Sequence, residues 1–524
     1  MIKIKTEKLN SFSRFCAGAI CVIALLFMAV LLISSLLGTT GMSTGGMGKT
    51  GEIVSFDQDN IFLNIIALLL GMAIIYFILR LTDHRNLKII AAVTVGITAV
   101  FALAFVLSGK MQPSEDSYIV TYVARAMSKN RGFVFDEYDD YFKFFPYQFG
   151  FVLYEEIFFR LFNLVMPNAP EGFSSLILQG LNVIYVAVFC LALLACMRYI
   201  IKDESSRKLA AVLLMCFLPL PLFTTYMYGT IPGFTFAALA VLMFLRFQDR
   251  GRIVDALGCA VFMSIAVCLK LNCLIVLMAI AIIWVIEIIK NPKLRSFIML
   301  ALTVALVLVT MGLPQKYYEA RNGIDFGKGI PRLSWMAMGL NEGQSCSGWY
   351  DTTYTTDVFR DSGYNYDETA EAAREAIKER AEYFKSSPKE AVQFFARKLL
   401  SQWNEPTYQS LWTNQSRKSY SESGGLFNFI CNTASDNLTI LMNFYQQLIF
   451  FGFTLGLIAL LRKKDIRAVI FPLIILGGLL YHLLFEAKSQ YALCYVVMMI
   501  PVAAYGFVRF MNAIAERSAR RGSK

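Results

Sequence analysis

Residues 253–290 read IVDALGCAVFMSIAVCLKLNCLIVLMAIAIIWVIEIIK. Two apolar runs, roughly 253–271 and 273–290, meet at the tripeptide Lys270-Leu271-Asn272. A helix rises about 1.5 Å per residue, so about 20 apolar residues cross a hydrocarbon core of about 30 Å. Each run is long enough to span, and together they form a tight hairpin with a lysine at its tip. The same pattern extends in both directions, predicting about twelve spans at roughly 15–37, 61–80, 88–108, 173–200, 209–227, 230–247, 253–271, 273–290, 296–313, 440–461, 468–484 and 491–511.

Composition agrees. Only 17% of the 524 residues are charged, against roughly a quarter in soluble domains, and 56% are hydrophobic with mean hydropathy +0.53. A soluble globular enzyme and a disordered chain are excluded. The two histidines, His84 and His482, leave little room for His-rich metal sites or His-based catalysis. The formal charge of +11 sits mostly in short loops between apolar runs, which argues against nucleic acid as a partner. The first span is too long for a signal-peptide core, and Gly38-Thr39-Thr40 offers no clear small-x-small cleavage site.

Basic residues set the sidedness. Lys3, Lys5, Lys8 and Arg14 precede the first span. Arg80, Arg85 and Lys88 fall on the same face, as do Arg198, Lys202, Arg207 and Lys208. Arg246, Arg250 and Arg252, then Lys290, Lys293 and Arg295, continue the pattern, with Arg462 to Arg467 and Arg517 to Lys524 after them. With twelve spans this face is cytoplasmic and holds both termini, in a multi-pass plasma-membrane protein. The fold expected is an all-α bundle in five parts: residues 1–108, 109–172, 173–313, 314–438 and 439–524. The second is an outer loop with interfacial helices. The fourth is a mostly helical extracytoplasmic domain. The stretch 147–165 is apolar but holds Glu155, Glu156 and Arg160, so it is expected to lie along the interface.

In the extracytoplasmic part, Asp367 is expected to open a helix over 368–383. Ser387-Pro388-Lys389-Glu390 has the form of a capping box starting another that Asn404-Glu405-Pro406 stops. The Gly-, Tyr- and Trp-rich stretch 335–364 lacks a helical period and is expected to be a structured loop over a cavity. Cys346 and Cys431 are the two cysteines of this part, and both a disulfide and two free thiols are open. Gly45-Gly46-Met47-Gly48-Lys49-Thr50 imitates the end of a phosphate-binding P-loop, but Ser43 stands where the pattern needs glycine. A flexible glycine-rich connector is the better account.

Chemistry concentrates where chain leaves the membrane on the outer face. Glu115 and Asp116 open a helix for which Ser114 is the N-cap. They either favour the helix dipole or supply a general base, Asp116 first and Glu115 as its rival. Asp136 and Glu137 are expected to be solvated, while Asp139, Asp140, Tyr141 and Gln148 are left as substrate-site candidates. Lys270 and Lys488 break the rule that basic residues avoid short outer loops. Each either snorkels or pairs locally, Lys488 with Glu486 for example, or binds phosphate at headgroup depth.

These residues together resemble the glycosyltransferase C superfamily, which holds protein O-mannosyltransferases and lipid A aminoarabinose transferases. The resemblance rests on Asp116 after a span with the Tyr-Pro-rich stretch 141–150, and on Lys270-Leu271-Asn272, similar to a Lys-Pro-Asn element. It also rests on His482-Leu-Leu-Phe-Glu486-Ala-Lys488-Ser-Gln490-Tyr491, where Gln490 replaces the usual Arg. Residues 398–411, Trp335-Met-Ala-Met-Gly339 and Gly348-Trp349-Tyr350 look like a Gram-positive bacterial branch. The resemblance implies a polyprenyl-phosphate-sugar donor in the outer leaflet and an acceptor hydroxyl on a polysaccharide, teichoic acid, glycolipid or protein. It implies inversion with Asp116 as base, donor phosphate held by Lys270 and Lys488, and a site including Asn272, Glu486 and Tyr491, with Trp335, Trp349 and Tyr350 on the acceptor side, either stacking on sugars or only packing. No cofactor is fixed by it, and a divalent metal is left open, without support in the spacing. A transporter or flippase of lipid-linked sugars would place ionisable residues midway through spans. A polysaccharide polymerase or ligase would set outer arginines on a diphosphate.

Overall fold

The computed structural model describes residues 2–44, 51–130 and 135–522, with the side chains of 2–8, Asp136, Asp139 and 521–522 excepted. The glycine-rich segment 45–50 lies outside the described residues. The protein is an α-helical multi-pass membrane protein. Among the described residues ten helices are long and apolar enough to cross a bilayer, and eleven if the pair Glu204–Cys216 and Pro219–Thr225, bent by 44°, is one span. The expected count of twelve is lowered at two places. The segment expected at 209–227 is broken at Phe217-Leu218, with Pro219 and Pro221 following. Ile253–Leu269 has only 17 residues, short of a bilayer crossing by the measure of length alone.

Local chemistry explains the boundaries. Asn60 accepts from Phe62 N and Leu63 N, Asn86 from Lys88 N and Asp203 from Ser206 N, so each starts a helix with its orphan donors satisfied. Helices stop at left-handed residues such as Lys110, Gly251, Gly323 and Lys464. Helix Ser489–Gly522 is the most enclosed span, with 89% of its apolar window buried against protein, whereas Ile61–Thr82 has 11% and turns most of its surface outward. The interior of the bundle is thus built around the C-terminal span.

Four differences from the sequence expectation bear on the site. The connector after the first span contains an antiparallel two-stranded hairpin, Gly38–Ser43 with Ile53–Gln58, so the fold is all-α apart from this ribbon. Thr40 N donates to Asn404 O and Asn404 Nδ2 to Gly38 O, tying the ribbon to the end of helix Pro388–Trp403. Helix Leu294–Asn322 does not end near Pro314 but continues through it. Its last turns reach Glu156, which accepts from Tyr318 Oη at 2.5 Å and Arg321 Nη1 at 2.7 Å. Burial pushes the Glu156 carboxyl up, but the hydrogen bonds of Tyr318, Arg321 and Arg160 outweigh it and hold it below its ordinary value.

The segment 335–364 is not all loop. It contains short helices, Thr356–Asp361 and most of Arg332–Gly339, too brief for a 3.6-residue period to register. Lastly, helix Tyr366–Ser386 is capped by Asn365, two residues before the expected opening at Asp367. Ser387 stands before Pro388 as expected but makes no side-chain capping bond. Cys346 and Cys431 are free thiols.

Between the third and fourth large spans lie helices Glu115–Ser128, Phe135–Phe144 and Phe149–Val165. The last buries Glu155 completely, facing Thr121 and Arg125 with neither carboxyl oxygen in a formed hydrogen bond. Burial pushes this carboxyl up to about 8. Between the ordinary carboxylate range and about pH 8 the folded chain holds a proton that the unfolded chain releases, so stability falls as pH rises through that window. Glu155→Gln, which mimics the neutral acid, is expected to raise the melting temperature in neutral detergent. The gain should be small at pH 5 and grow up to pH 8. A gain independent of pH would show that the acid stays ionised.

Candidate functional site

Lys270 occupies the extended break between helix Ile253–Leu269 and the helical run that begins at Leu271. The backbone is clamped there. A Cβ on Gly150 would lie 2.0 Å from Cys268 O, and one on Gly229 would lie 1.9 Å from Leu269 O, so both positions require glycine. The lysine Nζ sits 4.2 Å from the Tyr228 ring centroid and 5.3 Å from that of Tyr491. Among the described residues no carboxylate lies within ion-pair distance of it. Two ring faces are worth about 0.5–2 kcal/mol each and do not replace a counter-ion for a half-buried ammonium.

Tyr228 links this amine to an acid. Its hydroxyl accepts from Gln148 Nε2 and lies 3.4 Å from Asp116 Oδ2 as donor. Asp116 stands in the first turn of helix Glu115–Ser128, where Ser114 N donates to Ser117 Oγ. Glu115 has φ +49°, a conformation that costs a non-glycine residue of order 1 kcal/mol and tends to mark constrained sites. Confinement by the surrounding protein pushes the Glu115 carboxyl up, and Glu52 and Asp116 add to this against Lys488 and Arg417. Tyr141 is buried, with its hydroxyl unpartnered and close enough to Asp116 to feel its charge. Tyr147 and Tyr350 feel the same carboxylate, and Tyr147 remains 40% exposed, so the cluster has an open side.

The turn 485–488 closes the other flank. Tyr491 Oη donates to Glu486 Oε2 at 3.1 Å, and His482 Nδ1, 2.7 Å from Glu486 O, must carry the proton and donate. Burial pushes the Glu486 carboxyl up, against Lys488, Tyr491 and Lys270. Lys488 does not pair with Glu486 but with Glu52, at 2.5 Å, and Gln409 Nε2 donates to the same Glu52 oxygen at 3.1 Å. Glu52 stands directly before strand Ile53–Gln58, in the connector after the first span, where sequence reading singled out no site residue. Lys488 is therefore already neutralised, and Lys270 is the amine without a carboxylate.

Lys398 fixes this turn from beneath. Its buried Nζ donates to Gly339 O and, at 2.7 Å, to Phe485 O, while Ala487 N donates to Gly348 O. Burial pushes the Lys398 ammonium down to about 7. Lys398→Met orphans two carbonyls and is expected to cost about 2–4 kcal/mol of stability. Because the unfolded chain keeps this proton to higher pH, wild-type stability relative to the variant rises as pH climbs from about 7. Thermal unfolding of both proteins at pH 6.5 and 9 checks the sign.

Of the sequence candidates, Asp116, Lys270, Gln148, Tyr141, Tyr350, Glu486 and Tyr491 converge, with Glu115 and Lys488 beside them. Asn272 shares the Lys270 break, with no side-chain hydrogen bond among the described residues. Of its two readings, stacking or packing, the geometry of Trp349 matches packing: it is 1% exposed, and its Nε1 donates to Ser401 Oγ at 2.8 Å. Asp140 is drawn away, accepting from Tyr364 Oη with Arg360 at 3.9 Å. The Asp139 side chain lies outside the described residues. Sequence reading missed Tyr228, Glu52, Gln409 and Arg417. The buried Arg417 spends its donors on Thr225, Asn414 and Thr413, and burial pushes it down to about 10. Two of its partners, Thr413 and Asn414, are local, but Thr225, which takes two of its donors, lies 192 positions away and is not legible in sequence. Among the described residues no group of three metal-ligating side chains stands together.

No family model matches the sequence, and no curated protein matches it. Among solved structures the chain is similar to the archaeal oligosaccharyltransferase AglB from Archaeoglobus fulgidus, solved with an inhibitory peptide and a dolichol-phosphate. The TM-score is 0.43 and identity 11%, over 83% of this chain and 52% of that one. The matched part is thus about half the length of AglB, and at this similarity the match carries no argument about activity.

Proposed function

We propose that this chain is an integral membrane glycosyltransferase that moves a sugar from a polyprenyl-phosphate-sugar to an acceptor hydroxyl at the outer membrane surface. The observation that carries the proposal is the shared Tyr228: its hydroxyl lies 3.4 Å from Asp116 and its ring 4.2 Å from the uncompensated Lys270 ammonium. A base and an anion-seeking cation thus stand on opposite parts of one side chain, beside the accessible Tyr147.

In the proposed step the acceptor oxygen attacks the anomeric carbon as its proton passes to Asp116. The bond from the anomeric carbon to the phosphate oxygen breaks, and its electron pair leaves with polyprenyl phosphate, whose charge Lys270 stabilises. The configuration inverts. Lys488 joins only if the donor displaces Glu52. A transporter would need paired broken helices; among the described residues one bent pair occurs, and its break at Phe217-Leu218 carries no charge. The test supplies labelled polyprenyl-phosphate hexoses to membranes with and without the protein. Protein-dependent consumption with release of polyprenyl phosphate supports the proposal. Donor that only changes leaflet, chemically intact, defeats it in favour of a flippase.

A further inference from the structure

A second polar cavity lies at the far end of the same helices. Helix Thr230–Arg250 begins beside Lys270 and, at about 1.5 Å per residue, ends about 30 Å away. There a cavity of about 250 Å³ is lined by Gln248, Arg250, Asn291, Lys293 and Arg295. Its face is the one the basic loops assign to the cytoplasm. We propose that this cavity binds a phosphate-bearing anion of headgroup size, independently of the transfer site.

Three observations carry this. Arg250, Lys293 and Arg295 converge on one space, and among the described residues none lies within ion-pair distance of a carboxylate. Arg295 lies close against the Phe247 side of the space: its guanidinium is 6.0 Å from the Phe247 ring centroid, and a Cβ on Gly251 would fall 2.7 Å from its Nη2. Gln248 Nε2, a donor, is buried at the wall with no acceptor. Two carboxylates also line the space. Asp249 is exposed, as are Arg250, Lys293 and Arg295, and Glu287 lies 3.7 Å from Lys290. A third carboxylate nearby, Asp255, is occupied by Arg246 at 2.9 Å. The charge excess is therefore cationic, while the buried polar atoms left without hydrogen-bond partners are one donor, Gln248 Nε2, and one acceptor, Glu287 Oε1. The volume is below the 300–1,000 Å³ usual for drug-sized ligands, which suits a headgroup or a free phosphate rather than a nucleotide. Basic residues near an anionic leaflet attract it in any case; a site differs from that general attraction by depending on these positions.

The experiment uses the full-length protein purified in a neutral detergent. Phosphatidylglycerol and, separately, inorganic phosphate are titrated, reading bound lipid by native mass spectrometry and stabilisation by thermal unfolding. Lys293→Gln combined with Arg295→Gln is expected to weaken binding about tenfold or more. Arg198→Gln combined with Lys202→Gln, which removes two charges from the same face outside the cavity, should leave it within twofold. Loss confined to the lipid arm identifies a membrane headgroup, and loss confined to the phosphate arm identifies a soluble ligand. Equal weakening by both variant pairs, or none by the first, overturns the proposal. Should the first pair misfold, Asn291→Ala with Arg295→Lys carries the same comparison. Lys270→Gln should leave this binding intact, so failure of the transferase assignment would not affect it.

Discussion

Asp116→Asn is expected to reduce sugar transfer by about 10²–10⁴-fold, the range lost when a positioned general base is removed. The amide keeps an oxygen that can accept from Tyr228, so the Gln148–Tyr228 hydrogen bond and the helix start at Ser114 should survive. The variant should melt within a few degrees of wild type. Donor consumption measured at several acceptor concentrations should then show a fall in kcat, with KM little changed, because the proton moves only in the transition state. Glu115→Gln is the internal comparison. It removes a carboxylate from the same turn, and its loss should be far smaller. Were Asp116→Asn fully active and Glu115→Gln inactive, the base would be Glu115, in its left-handed backbone conformation. Were both active, the proposed chemistry would fail.

The second large effect is expected at Lys270. Replacing it with Met leaves an apolar chain of similar length between the Tyr228 and Tyr491 rings but removes the only charge there without a carboxylate partner among the described residues. Transfer should fall by about 10²–10³-fold, the loss typical of one group stabilising a developing anion. Stability should not fall with it. A half-buried ammonium without a counter-ion costs desolvation energy that its contacts with two rings only partly offset, so the variant should melt at or above the wild-type temperature. Lost activity with unchanged or greater stability is what a site that sacrifices stability for function predicts. A variant equally inactive but much less stable would make Lys270 a structural residue. Lys488→Met should behave oppositely, since it leaves the half-buried Glu52 without its cation and should destabilise the ribbon.

Much of the scaffold could be read from residue order. Apolar run length is a local property, so ten of the twelve expected spans and the presence of a helix within 147–165 were legible directly. Asp116, Lys270, Glu486 and Tyr491 were legible as candidates because each is a charge or a polar group out of place at the end of an apolar run. Span counting failed where the chain bends at Phe217-Leu218 and where Ile253–Leu269 falls short. Window hydropathy does not register a bend or the loss of a few residues.

Pairing was decided only in three dimensions. Asp116 and Tyr228 are 112 positions apart, Lys488 and Glu52 far more, and nothing in either neighbourhood names the other. Glu486 is two residues from Lys488, yet the amine pairs with Glu52, because Tyr491 engages Glu486 while Lys398 and Gly348 fix the turn. Trp349 has the composition of a sugar platform, and burial against Ser401 makes it a wall. Hydrophobicity acts on each segment separately and so is written in order along the chain. A charge finds its partner only after helices from distant parts of the sequence have packed, and that packing made Lys270 the amine left without a carboxylate.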